Sequence, residues 1–187
     1  MGWRDSRGSI GRSVRLAIVL ASSALSAGCF QPLYGEGNVA GGFSARDALA
    51  AVEVPEIGVP ANSSESRLAV QIRNDLIFNF TGGGAPSSPT HRLKVQINGG
   101  RSIISINPTT KLPDTEVYGL NTTYSLTEIA TGKVVVTGRA TTNISYETLG
   151  QQRFARISGM HDAERKAAKV ISDNITTRLA SYFIGGG

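Results

Sequence analysis

Two runs of alternating residues, separated by a four-residue turn, limit what this chain can become more than any other feature. Residues 116–128 place Tyr118, Leu120, Thr122, Tyr124 and Leu126 at every second position, and residues 134–146 do the same with Val134, Val136, Gly138, Ala140, Thr142, Ile144 and Tyr146. A period of two is that of a strand with one buried face. Ala130-Thr131-Gly132-Lys133 between the runs has turn composition, so the pair predicts an antiparallel hairpin. The abundance of Thr on these strands implies that one sheet face stays wet or meets a polar partner surface.

The remaining segments extend this core. Leu93, Val95 and Ile97 alternate up to Gly99-Gly100, and Ile103-Ile104-Ser105-Ile106 follows; this reads as one long strand with a bulge at the glycines or as two short strands. Residues 51–59 alternate as well, with Pro55 marking an edge strand or a strand end. Leu68, Ile72, Leu76 and Phe80 recur every four residues beside Ala69, behind an Asn62–Glu65 capping signal and ahead of Gly82-Gly83-Gly84. That is an amphipathic helix with defined ends. In residues 151–183, Met160, Ala163, Ala167, Val170, Ile171, Ile175, Leu179, Tyr182 and Phe183 share one side, with Glu164, Arg165, Lys169, Asp173 and Arg178 opposite. Gly159 is expected to separate a short turn around Phe154 from the main helix. The order strand, helix, three strands, helix, each with one apolar face, predicts an α+β fold. Two helices would pack on one face of a four-stranded mixed sheet as a two-layer sandwich.

The first 28 residues follow a different logic. Arg4, Arg7, Arg12 and Arg15 precede a ten-residue apolar run, 16–25, and then Ser26-Ala27-Gly28-Cys29. A membrane span needs about 20 apolar residues, whereas a run of ten with a basic leader and small residues after it is the pattern of a secretory signal. Residues 1–28 are therefore expected to be a signal peptide, residues 29–50 a tether that becomes ordered towards residue 50, and residues 51–187 a single domain. Cys29 is the only cysteine of 187 residues and cannot form an internal disulfide. Ser26-Ala27-Gly28-Cys29 resembles the lipobox of bacterial lipoproteins, with Ser26 where Leu is usual. That resemblance implies lipidation of Cys29 and a membrane anchor; two or more acyl chains hold stably where one does not.

Removing the leader also explains the charge. Of the net +5, the leader carries +3, from four Arg against Asp5; the remainder has 15 basic and 13 acidic residues. No concentrated basic face stands out, so no nucleic-acid partner is expected. Catalytic signatures are equally sparse. His91 and His161 lie far apart with no Cys or carboxylate at ligand spacing, so neither a metal nor a cofactor is expected. There is no nucleophile elbow and no phosphate loop, and Asp47, Glu53 and Glu56 have no evident partners. The expectation is a non-enzyme.

Ala27-Gly28-Cys29-Phe30-Gln31-Pro32-Leu33-Tyr34-Gly35 resembles the mature start of the lipopolysaccharide-assembly lipoprotein family LptE in its alphaproteobacterial form. Arg153-Phe154-Ala155 and the run Asp162–Ala168 are similar to that family's closing helix, and the element order agrees. The resemblance implies a protein lipid-anchored on the periplasmic side of the outer membrane. It would plug an LptD-type β-barrel, supporting its assembly and the delivery of lipopolysaccharide to the cell surface. The alternative is a lipid-anchored module for another envelope partner. Contact with lipid A phosphates would need cations at an exposed end, and Arg101, Lys111 and Lys133 are the candidates for binding lipopolysaccharide.

Overall fold

The computed structural model describes residues 45–60, 63, 65–84, 86, 88–109, 111, 113–148 and 153–185. The signal segment, Cys29, the family-like opening at 27–35 and the capping residue Asn62 lie outside these residues. The elements are α1 (Ala45–Ala50), β1 (Val52–Glu53), α2 (Glu65–Thr81), β2 (His91–Ile106), β3 (Pro113–Glu128), β4 (Val134–Glu147) and α3 (Arg153–Ile184). The fold is α+β. One mixed sheet of order β1-β2-β3-β4 carries both long helices against the same core. β1 runs parallel to β2, and β2–β3 and β3–β4 are antiparallel.

The apolar periods land where they point. Leu68, Ala69, Ile72, Leu76 and Phe80 of α2 are buried, as are Leu93 and Val95 of β2 and Tyr118, Leu120, Thr122, Tyr124 and Leu126 of β3. Gly82, in the left-handed region at φ 76°, ends α2, its N–H reaching the Phe78 carbonyl at 2.9 Å. Such a conformation is open to glycine at little cost. At β1 the ladder is shorter than the alternation suggests, two residues only, because Pro55 has no N–H to donate. Val54 and Ile57 are nevertheless buried beyond it, and the Val54 carbonyl accepts from Arg73 Nε at 3.1 Å.

Three local expectations change. β2 continues unbroken through Gly99-Gly100, opposite Leu120 and Gly119, and its irregularities fall later, between Ile103 and Ile106. Gly99 is small for another reason: a Cβ there would overlap the Tyr118 hydroxyl. α3 is one 32-residue helix that runs through Gly159, about 48 Å long at 1.5 Å per residue. Gly159 faces β4, and a Cβ there would make an ordinary contact with Tyr146 at 3.4 Å. On α3, Val170 is partly exposed while Glu164, Ser172 and Thr176 are buried. The two hydroxyls satisfy themselves on the carbonyls of Ala168 and Ser172, one turn back. Among the described residues no helix is long and apolar enough to cross a membrane.

Candidate functional site

Because both long helices cover one sheet face, the other is left bare among the described residues. It carries Lys94, Gln96 and Asn98 from β2, Asn121, Thr123 and Ser125 from β3, and Thr137, Arg139 and Thr141 from β4. These are the residues out of phase with the buried set, since a strand sends alternate side chains to opposite faces. Short polar contacts run across it, Thr123 Oγ1 to Gln96 Oε1 at 3.4 Å and Thr141 Oγ1 to Asn121 Oδ1 at 3.1 Å. Between Lys94, Gln96, Thr123, Ser125, Thr137 and Arg139 the face dips into an open concavity of about 510 Å³. Such a surface offers donors and acceptors in a regular two-residue repeat. Among the described residues no carboxylate or histidine lines the concavity itself; Glu53, in register with Arg92, and Glu147 share the face at its margins.

The three sequence-predicted cations do not converge. Arg101 is exposed on β2 opposite Tyr118, and Lys111 is exposed in the β2–β3 connection at φ 59°. That connection is held by Asn107, whose Oδ1 accepts from the Thr109 N–H and whose carbonyl accepts from the Lys111 N–H, both at 2.9 Å. Lys133 lies in the β3–β4 turn, beside the Thr127–Val134 pair. Tyr118 and Thr127 are nine residues apart along β3, about 30 Å at strand rise. Arg101 stands about 17 Å at strand rise from the Ile106–Pro113 end that Lys111 flanks, and Lys133 belongs to the opposite end, so no two of them form one site.

Two buried carboxylates escaped the sequence reading. Glu116 on β3 accepts from Tyr146 Oη and from Arg156 Nη2, both at 2.5 Å, tying β3, β4 and α3 together. Glu164 on α3 pairs with Arg67 of α2 across the helix interface. His161 joins them: its Nδ1 is 2.7 Å from Arg67 Nη2 and 3.2 Å from Glu164 Oε2. That nitrogen accepts from Arg67 only when unprotonated and donates to Glu164 only when protonated. His161 thus lies inside α3 and joins the pair at the helix interface. Glu53, without an evident partner in the sequence, pairs with Arg92 at 2.9 Å. His91 stacks edge-on against Phe183, ring centroids 5.3 Å apart, and burial lowers its pKa.

Burial, with the nearby Glu164 and Glu65 carboxylates, pushes the Tyr118 hydroxyl from 10 up to about 12; Arg67 and Arg101 oppose the shift. Burial and the bond to Glu116 do the same for Tyr146. The unfolded chain releases these protons near pH 10 while the folded chain keeps them to about 12. Stability is therefore fully present below pH 10 and is lost as pH rises towards 12. Thermal melts across that window should show a steep basic limb, and Tyr118→Phe should flatten it while leaving the neutral-pH melting temperature within a few degrees. An unchanged limb in Tyr118→Phe would remove Tyr118 as its source.

No protein-family model matches the chain, and no curated protein matches it. Solved structures do share its fold. A protein assigned as a lipoprotein from Caulobacter crescentus aligns over 76% of this chain and 97% of its own, at 17% identity and a TM-score of 0.57. The rare lipoprotein B from Shewanella oneidensis aligns over 72% and 96%, at 15% identity and a TM-score of 0.52. The architecture of this domain is thus one found in bacterial lipoproteins.

Proposed function

We propose that this protein is a lipid-anchored component of the outer membrane. In this reading it seats inside an LptD-type β-barrel and supports lipopolysaccharide delivery without catalysing a reaction. The observation that carries this reading is the bare, hydroxyl- and amide-rich sheet face. A plug in a water-lined barrel needs a polar exterior facing a polar wall, since barrel strands alternate apolar-out with polar-in. The likeness of the fold to two bacterial lipoproteins supports the lipidation reading of Cys29. Within it, Arg101, Lys111 and Lys133 offer separate phosphate contacts along the sheet.

Co-purification tests the proposal. The tagged full-length chain, extracted gently in detergent, should retain a large outer-membrane barrel protein at near-equal amounts, and its depletion should reduce surface lipopolysaccharide. Recovery without a barrel, together with normal surface lipopolysaccharide, would sink the plug reading.

A further inference from the structure

We propose that the bare sheet face is the surface through which this domain docks on its partner, and that the partner meets Lys94 and Arg139 there with carboxylates. This rests on the reading above, that the protein works by seating against a barrel wall.

Many charges of this domain are settled locally, and of the cations that are not, Lys94 and Arg139 are the two that line one concavity of the bare face. On α3, Asp162 pairs with Arg165 at 3.0 Å and Lys166 at 2.7 Å, and Lys169 with Asp173 at 3.1 Å. At the sheet edge Arg92 is taken by Glu53. Lys94 and Arg139 have no carboxylate partner among the described residues, and they flank one concavity. In register, Lys94 aligns with Ser125 and Thr137, and Arg139 with Thr123 and Gln96. The two cations therefore stand diagonally across β3, about 12 Å apart at the Cα atoms by strand spacing and rise. Between them the floor is made of short hydroxyl side chains, which leave room for groups that protrude from outside.

A barrel wall is itself a sheet, and its inward side chains repeat every two residues at the same rise. Two sheets pack about 10 Å apart with their side chains interleaved. Long Lys and Arg side chains over a hydroxyl floor would interleave with Asp or Glu opposite. A wall without acids there would desolvate two cations and leave them unpaired, a penalty that disfavours it. The same penalty acts as a selectivity filter against neutral or basic surfaces.

The test uses the anchored full-length chain in cells. Both residues are exposed, so Lys94→Glu with Arg139→Glu should melt within a few degrees of the parent; if it does not fold, the neutral pair Lys94→Gln and Arg139→Gln replaces it. Barrel retention should fall at least tenfold in the charge-reversed chain. A photo-crosslinking residue at Thr141 should give an adduct whose partner peptide, identified by mass spectrometry, contains Asp or Glu. The same residue at Asn74 on α2 should give much less of that adduct. If the parent retains the barrel and the charge-reversed chain retains it equally, the docking face is wrong and the plug reading stands. If the parent retains no barrel, the plug reading fails, and the Thr141 adduct then decides the docking face alone. An acidic partner peptide lost on charge reversal supports the face. No adduct, or one insensitive to reversal, overturns it.

Discussion

Gly138→Ala is expected to destabilise the domain by about 3 kcal/mol, the upper end of the cost of overpacking a core, and to lower its melting temperature by about 10 °C. On propensity alone the sign should be the reverse, since Ala in a strand is favoured over Gly by up to about 1 kcal/mol. The reason lies across the ladder. Gly138 pairs directly with Tyr124, whose ring lies over the glycine. A Cβ at 138 would overlap the hydroxyl oxygen and Cζ and come within 2.9 Å of Cε1. Tyr124 is buried and cannot swing its ring aside without opening the core. Gly99→Ala should be milder, about 1 kcal/mol by the same overpacking scale. There only the Tyr118 hydroxyl is overlapped, and Cζ stays 3.1 Å away. Chemical denaturation of the two variants should rank them in that order; equal or inverted costs would show that the tyrosine rings move freely.

The second large effect is an asymmetry across the helix interface. Arg67→Ala should cost about 2 kcal/mol at neutral pH, below the full penalty for orphaning a buried charge because His161 remains beside Glu164. Glu164→Leu should cost less than half as much. Arg67 is 57% exposed and Glu164 4% exposed at the side chain. Removing the acid frees a guanidinium that turns to water, whereas removing the arginine strands a carboxylate inside. Denaturant midpoints for both variants at pH 7 measure this. A larger loss in Glu164→Leu would mean that the pair is held by packing rather than by charge.

Much of the fold was legible before any coordinates. The four-residue recurrence of Leu68, Ile72, Leu76 and Phe80, and the alternation from Tyr118 to Leu126, place every one of those residues in the core. Reading was poorest where a residue's role depends on a distant partner. Gly99-Gly100 looks like an interruption of a strand, yet the ladder passes through it, and the small size answers to Tyr118 on the neighbouring strand. Gly159 looks like a helix break, yet α3 runs through it as one continuous helix. Glu164 reads as a solvent-facing helix charge because every acid on an amphipathic helix does so by default. The cations singled out for ligand contact, Arg101, Lys111 and Lys133, lie apart along the sheet, a separation that spacing along the chain does not reveal.

By itself, then, the sequence determined the main inward side of the long helices and of the central strand, and hence the two-layer α+β arrangement, because burial selects apolar residues with the local period of the backbone. Only the tertiary structure decided which charges are neutralised and which are not. Arg67 and Glu164 are 97 residues apart and close on each other, while Lys94 and Arg139 face outward with no acid beside them among the described residues. An ion pair needs its two groups within a few ångströms, and for residues this far apart in the chain that distance is set by how the helices and strands pack.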